Sequence, residues 1–324
     1  MEPISRIDST TNQLYFRGIN ATELAKQSDF ESVLHLLIHG YLPSEKQADE
    51  IKSKMIGFRD LYSDKMDSLK SLAGSFDKLK VENSLENEDA LLAVISLSTI
   101  VAATSYVKPE KRMVENPNSD LGHSANFLWM VRGSASSTQD IQDFQTCLIL
   151  HMDDPDNPSL TALKRVIASG GSIADALGEA LVVHSDPLHH GAGTEAMKIF
   201  KEIKNQESSR AYLQHRIEKG YKIYGLGHRI YRGFDPRALI LRDMLRQRVT
   251  NTDNEWLIDV IEETAQQGRG LLLELKGIQA YPNVDLYNAA TYTTFGFPPE
   301  FNTTLFALSR VAGWVAHILN FQIE

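Results

Sequence analysis

The sequence predicts a nearly all-α protein, and three observations carry that. Apolar residues recur at helical spacing through most of the chain, as in FESVLHLLIHG at 30–40 and LFALSRVAGWVAHIL at 305–319. Start and stop signals bracket such runs: Asp29 or Ser28 stands before the first and Gly40 after it. Strand-like alternation is confined to one short stretch, Gln13–Gly18, which ends on glycine.

Taken in order, residues 1–20 read as extended and Asn20–Leu24 opens a helix. Residues 28–40 form a second helix, and Leu42-Pro43-Ser44 starts a third. From about 47 to 107 the pattern stays helical, with a polar connection at Asn83–Asp89. A charged, Pro-containing loop fills 108–121. Helices resume at Ala125–Val131 and Ile141–Met152, and the acidic turn 153–158 follows. Thr161–Ala168 and Ile173–Val183 are helical, with Gly170-Gly171 between them. Further helices run through Trp256–Ile278, and there is no repeat or low-complexity segment.

The 324 residues are 42% hydrophobic and 23% charged, enough for one large domain or two smaller ones. With 33 basic against 42 acidic residues the net charge is −9, the wrong sign for a nucleic-acid binder. The single cysteine, Cys147, rules out an intrachain disulfide. The opening MEPISRIDSTTNQ has no apolar core of a secretory signal, and its acidic residues argue against an Arg-rich transit peptide. The longest uncharged run, Leu91–Val107, is diluted by Ser, Thr and Ala. It reads as a buried core or subunit-interface helix rather than a membrane span.

Chemistry concentrates at Tyr224–Arg248. Gly225 and Gly227 let backbone approach a bound group closely, and His228 can exchange a proton near neutral pH. Asp235-Pro236-Arg237 follows, then Arg242, Arg246 and Arg248 on a helix-like run. A proton-transfer group beside forked anion binders suits an anionic substrate. Each feature also has a structural alternative: Asp235 as an N-cap with Pro236 at the first helical position, and the arginines as a solvated face. Asp285, where YPNVDLY enters an apolar helix, is a candidate acid–base group or another N-cap. Arg310, within a strongly apolar helix, needs a counter-charge or an anionic ligand. The glycine-rich turn DPLHHGAG at 186–193 is a further active-site candidate. No metal site is expected. His35 and His39 lack a third ligand, and the acids of 153–156 lack the glycine and spaced oxygens of a calcium loop.

The motifs QLYFRG, FESVLHLLIHGYLPS, NFLWMVRG, LILHMDDPDN, DPLHHGAG, GLGHRIYRGFDPR, YPNVDLYNAA and LFALSRVAGWVAH share order and approximate spacing with one family. The chain resembles citrate synthases, including 2-methylcitrate synthases, nearly end to end. The resemblance implies an all-α homodimer. A large helical domain would comprise 1–191 and 290–324. An inserted small domain, 192–289, would close over the substrates. Leu91–Val107 would help build the dimer interface.

The resemblance also implies roles. Asp285 would remove a proton from the acyl methyl of acetyl-CoA, and His189 would donate to the thioester oxygen. His228 would supply a hydrogen bond or proton to the ketone oxygen of oxaloacetate. Arg237 and Arg310 would hold substrate carboxylates. His189 is preferred to His190 because Pro187-Leu188-His189 aligns with the family's PLHGG pattern. Backbone around Lys222, Gly225 and Gly227 would border coenzyme A, and Arg242, Arg246 and Lys276 are candidates for its phosphates. No permanently bound cofactor, nucleic-acid partner or membrane is expected, and a cytoplasmic location is.

Two departures bear on substrate choice. Asp154 stands where the family carries an oxaloacetate-binding histidine. A carboxylate there would repel a substrate carboxylate by about 4 kcal/mol at ~4 Å in an effective dielectric near 20. The family's C-terminal arm, whose arginine reaches the neighbouring subunit, is expected to be missing. Beside the synthase reading therefore stand a paralogue using another keto acid or a citryl-type thioester, and a non-catalytic CoA-binding protein.

Overall fold

The computed structural model describes residues 2–62, 68–186, 191–228 and 230–323. Among them are sixteen α-helices and one three-stranded sheet, so the chain is all-α apart from its N-terminal strands. The strands are β1 (Ser5–Asp8), β2 (Gln13–Phe16) and β3 (Ile19–Asn20), in that order across the sheet. β2 and β3 are antiparallel, with Phe16 opposite Ile19 and Tyr15 opposite Asn20. The two residues between them, Arg17 and Gly18, both have positive φ (47° and 83°), which matches the twist of a tight hairpin. Arg17 is held there by its guanidinium, which donates to the Glu2 and Leu37 carbonyls at 2.8 and 3.0 Å.

The chain divides into two compact units. The first comprises 1–6, 15–185 and 304–324, and the second 7–14 and 186–303. In the first, α1 (Ala21–Gln27) is capped by Asn20 and α2 (Phe30–His39) by Asp29, whose carboxylate accepts the Ser32 N–H at 2.7 Å. Gly40, at φ +87°, stops α2. There follow α3 (Glu45–Tyr62), α4 (Leu69–Gly74), α5 (Phe76–Glu82), α6 (Asn87–Val107), α7 (His123–Arg132), α8 (Thr138–Leu150), α9 (Pro158–Ala168) and α10 (Ile173–His184). The expected polar connection at Asn83–Asp89 is shorter than its composition suggests. Glu88 and Asp89 form the first turn of α6, where the helix dipole favours acids.

α6 is long and apolar enough to cross a membrane by composition, but 83% of its most apolar window is buried inside this chain. α3, α4, α5 and α7 surround it. Packing within one chain therefore accounts for its apolarity, and no subunit interface is needed to explain it. Its diluting hydroxyls are satisfied locally: Ser98 donates to the Ile95 carbonyl, Thr99 to Ser96, and Ser96 reaches the Met55 carbonyl of α3.

The second unit contains α11 (Ala192–Ile203), α12 (Ser209–Glu218), α13 (Pro236–Val249), α14 (Trp256–Lys276) and α15 (Asn288–Thr293). Ile199, Ile203, Leu213, Ile217, Ile223 and Leu271 form its core. α16 (Asn302–Ile323) begins in this unit and returns the chain to the first. Gly268 of α14 carries no side chain at a point where a Cβ would lie 2.6 Å from the Leu226 methyl, so α14 seats the loop that carries His228.

Candidate active site

The stretch 224–237 is held by a segment that follows it by more than forty residues. Leu226 and Pro282 form an antiparallel bridge. The Gly227 N–H donates to the Tyr281 carbonyl at 2.7 Å, Asn283 N–H to Gly225 at 2.9 Å, and Asp235 N–H to Pro282 at 3.1 Å. Gly225 and Gly227 sit at φ +84° and +91°, where side chains are strained. At Gly225 there is also no room, since a Cβ would lie 2.6 Å from the Leu286 backbone. Asn283 ties the two segments with its side chain as well. Its amide donates to the Gly227 carbonyl at 2.6 Å and its oxygen accepts the Asp285 N–H at 2.9 Å. The residue before His228 and the candidate base Asp285 are thus fixed to one asparagine.

His228 Nδ1 accepts two backbone N–H groups, from Ile230 at 3.1 Å and Tyr231 at 3.2 Å. An accepting Nδ1 carries no proton, so the neutral ring holds its proton on Nε2. The next two amides, Arg232 and Gly233, donate to Asn12 Oδ1 at 3.2 and 3.3 Å, and the Asn12 amide donates back to the Phe234 carbonyl.

Asp285 lies in a short 3-10 turn, Val284–Leu286. The cap of that turn is Asn283, so the N-cap alternative for Asp285 does not hold. Its carboxylate accepts no hydrogen bond among the described residues. Burial pushes its pKa up to about 6; the Arg237 charge opposes the rise and the Asp235 charge adds to it.

Asp235 caps α13, accepting the Arg237 N–H at 3.0 Å, with Pro236 at the first helical position. It also binds the Arg237 side chain, Nε–H at 3.0 Å and Nη2–H at 2.8 Å. Both side chains are buried, 0% and 2% exposed. One edge of the expected carboxylate fork is therefore occupied from within the chain.

In the first unit, the positive charge of the buried Arg310 of α16 acts on the buried carboxylate of Asp153. Asp153 also accepts from the Ser5 hydroxyl and from His317 Nε2 at 2.9 Å. Burial alone would raise its pKa; His317, Arg310 and the hydrogen bonds outweigh that and lower it. Gly313 makes the approach possible: a Cβ there would collide with the Met152 carbonyl and lie 2.7 Å from Asp153 Oδ1. The neighbouring Asp154 is half-buried, and its carboxylate accepts the Asp156 N–H at 3.2 Å within its own turn.

Among the proposed coenzyme contacts, Lys222, Arg246 and Lys276 are exposed. Arg242 folds onto Asp243, at 2.9 and 3.0 Å. It borders a cavity of about 420 Å³ together with Phe234, Glu262, Arg269, Gln279 and Tyr287. Arg248 does not belong to a solvated face, for it donates to Thr294 at 2.6 Å and lies 3.8 Å from the Phe295 ring centre. His189 and His190 lie outside the described residues.

Sequence reasoning missed Asn12, Asp153, Asn283 and Arg269. Asn283 was within reach, because an asparagine two residues before Asp285 suits an Asx turn. Arg269, stacked between Phe234 and Tyr281 at 4.9 and 4.8 Å, depends on contacts that no local pattern encodes.

Comparison with known proteins bears on the whole chain. Residues 2–323 match the family model described as "Citrate synthase, C-terminal domain". The citrate synthase of Synechocystis sp. is 30% identical, over 97% of this chain and 83% of its own length. The citrate/2-methylcitrate synthase of Bacillus subtilis (strain 168) is 29% identical, over 98% of this chain and 88% of its own. The crystal structure of citrate synthase from Thermotoga maritima superposes with a TM-score of 0.81 at 28% identity, covering 99% of this chain and 88% of that one. A ternary complex of the Thermoplasma acidophilum enzyme with carboxymethyl coenzyme A and oxaloacetate shares the fold, with a TM-score of 0.83 at 24% identity over 100% of this chain and 90% of that one. The chain belongs to the citrate synthase family and is an acyltransferase of that type.

Proposed function

We propose that this enzyme condenses acetyl-CoA, or propionyl-CoA, with oxaloacetate to give citrate, or 2-methylcitrate, and free CoA. The observation that carries the mechanism is the joint anchoring of His228 and Asp285 through Asn283. Asp285 is the base. Its unbonded carboxylate, with a pKa near 6, is ionised at neutral pH yet basic enough to take a proton from the α-carbon of the thioester. His189 donates to the thioester oxygen as negative charge develops there. The α-carbon then attacks the ketone of oxaloacetate and a C–C bond forms. His228 stabilises the ketone oxygen through its Nε2–H, the orientation set by Ile230 and Tyr231. Water then hydrolyses the citryl thioester and releases the CoA thiol.

Arg310 and Arg237 are the carboxylate-binding residues. The hydrogen bond that Asp154 accepts within its own turn supports a carboxylate directed away from an anionic substrate in this reading. The backbone at Lys222, Gly225 and Gly227 borders coenzyme A, and Arg242, Arg246 and Lys276 face its phosphates. Residues 192–289 act as the small domain that closes over the substrates. The working form is a cytoplasmic homodimer, and coenzyme A enters as substrate rather than as a resident cofactor.

Thiol release from acetyl-CoA and from propionyl-CoA, each with and without oxaloacetate, tests this. Oxaloacetate-dependent release that disappears in His228→Ala and Asp285→Asn is expected, and the faster acyl donor fixes the product. A folded protein that releases no thiol with either donor overturns the reading.

A further inference from the structure

Four consecutive backbone amides between His228 and Asp235 are held by two side chains. Ile230 and Tyr231 donate to His228 Nδ1, and Arg232 and Gly233 donate to Asn12 Oδ1. His228 is thus oriented by amides whose own position depends on the next two, and those rest on a residue more than 200 positions earlier. We infer that Asn12 is a positioning residue for His228. This inference rests on the synthase reading above.

Asparagine suits the task for two reasons. First, its side chain is at once acceptor and donor, so one residue takes two N–H groups and also donates to the Phe234 carbonyl. Second, it tolerates the left-handed backbone at φ +57° that aims it. The turn beneath it is pre-set: the Asp8 carboxylate accepts the Thr10 and Thr11 N–H groups at 2.9 and 3.1 Å. On the far side Phe234 leads directly into Asp235, which caps α13 and grips Arg237. Releasing Asn12 frees the middle of a loop whose two ends carry the proposed proton donor and carboxylate binder.

Asn12→Gly keeps the backbone conformation and removes all three hydrogen bonds. Asn12→Asp keeps the two accepted N–H groups and loses the donor. Displacing a reacting group by about 1 Å costs on the order of 100-fold in rate. We therefore expect Asn12→Gly to lower kcat by about that factor, with KM for acetyl-CoA and the melting temperature close to the parent values. Asn12→Asp is expected to recover part of the loss. Hydrogen exchange should quicken at amides 230–233 and not across the core of the unit, whereas a merely structural role would accelerate exchange generally. Equal kcat in Asn12→Gly and parent, or unchanged exchange at 230–233, overturns the inference. The exchange measurement needs no turnover. A parent enzyme without oxaloacetate-dependent release would remove the synthase reading and still leave exchange to judge Asn12.

Discussion

Arg237 lies side-on against Asp235, two residues before it, in a fully buried two-point ion pair that also caps α13. Removing one member of such a pair strands the other charge in the interior. Asp235→Ala should lower stability by about 3–5 kcal/mol in urea unfolding, the range for a broken buried pair. A loss below about 1 kcal/mol would show that Arg237 finds another counter-charge, since the cap alone accounts for roughly that much.

Asp285 works in the opposite sense. Its folded pKa, about 6, lies above its ordinary value, so the folded protein holds this proton more tightly than the unfolded chain. Its effect on stability is therefore most favourable at acid pH and turns unfavourable as pH rises through about 4 to 6. Asp285→Asn should be more stable than the parent at pH 7.5, by at most about 3 kcal/mol for a shift of ~2 units, with the gain gone near pH 4. In the same range kcat/KM of the parent should fall on the acid side with an apparent pKa near 6. A flat profile between pH 5 and 7 would remove Asp285 as the base.

The two glycines flanking Leu226 should respond differently to alanine. At Gly227 the added methyl meets nothing closer than Ala280 at 4.0 Å, so the cost is left-handed backbone strain, about 1–2 kcal/mol. At Gly225 the same strain is joined by a clash with the Leu286 backbone. Gly225→Ala should therefore destabilise by clearly more than Gly227→Ala in parallel denaturant titrations, and it should cost activity as well. Equal effects would mean that the 225–227 and 281–285 segments are not held together as described.

Asp153→Asn tests the charge network of the first unit. The depressed pKa of Asp153 adds stability above the ordinary carboxylate range, and that contribution is lost as pH falls through the folded value. At pH 7 the substitution removes the charge that His317 and Arg310 face and weakens the hydrogen bonds from His317 and Ser5, a loss of about 1–3 kcal/mol. The deficit should narrow below about pH 4 in thermal melts run across pH.

Much of this was legible in the sequence because it is local. Asp29 and Gly40 bound α2 by cap chemistry that acts within four residues, and the Asp235-Pro236 start of α13 follows the same rule. His228 and Asp285 stood out as chemically unusual residues beside glycine and proline. What stayed hidden is non-local or turns on a single position. Asp153 and Asp154 are adjacent acids in one turn, and only the packing of Gly313 against that turn decides which is buried. Asn12 sits in a polar turn like any other until the 232–234 loop is laid against it. The apolar helix α6 gave its burial away but not its cause, since composition cannot distinguish neighbours in the same chain from those in another.

The early position of Asn12 in the chain also sets a timetable. Its partner Phe234 lies 222 residues later, which at ribosomal rates of about 5–20 residues per second is a wait of roughly 10–40 s. The first unit waits too, because Asp153 meets His317 only after a further 164 residues. The first unit cannot close its polar network until α16 has been made, whereas the second can close once the 281–285 segment is out. A stalled chain that ends before α16 should depend on chaperones even though most of its helices are already encoded.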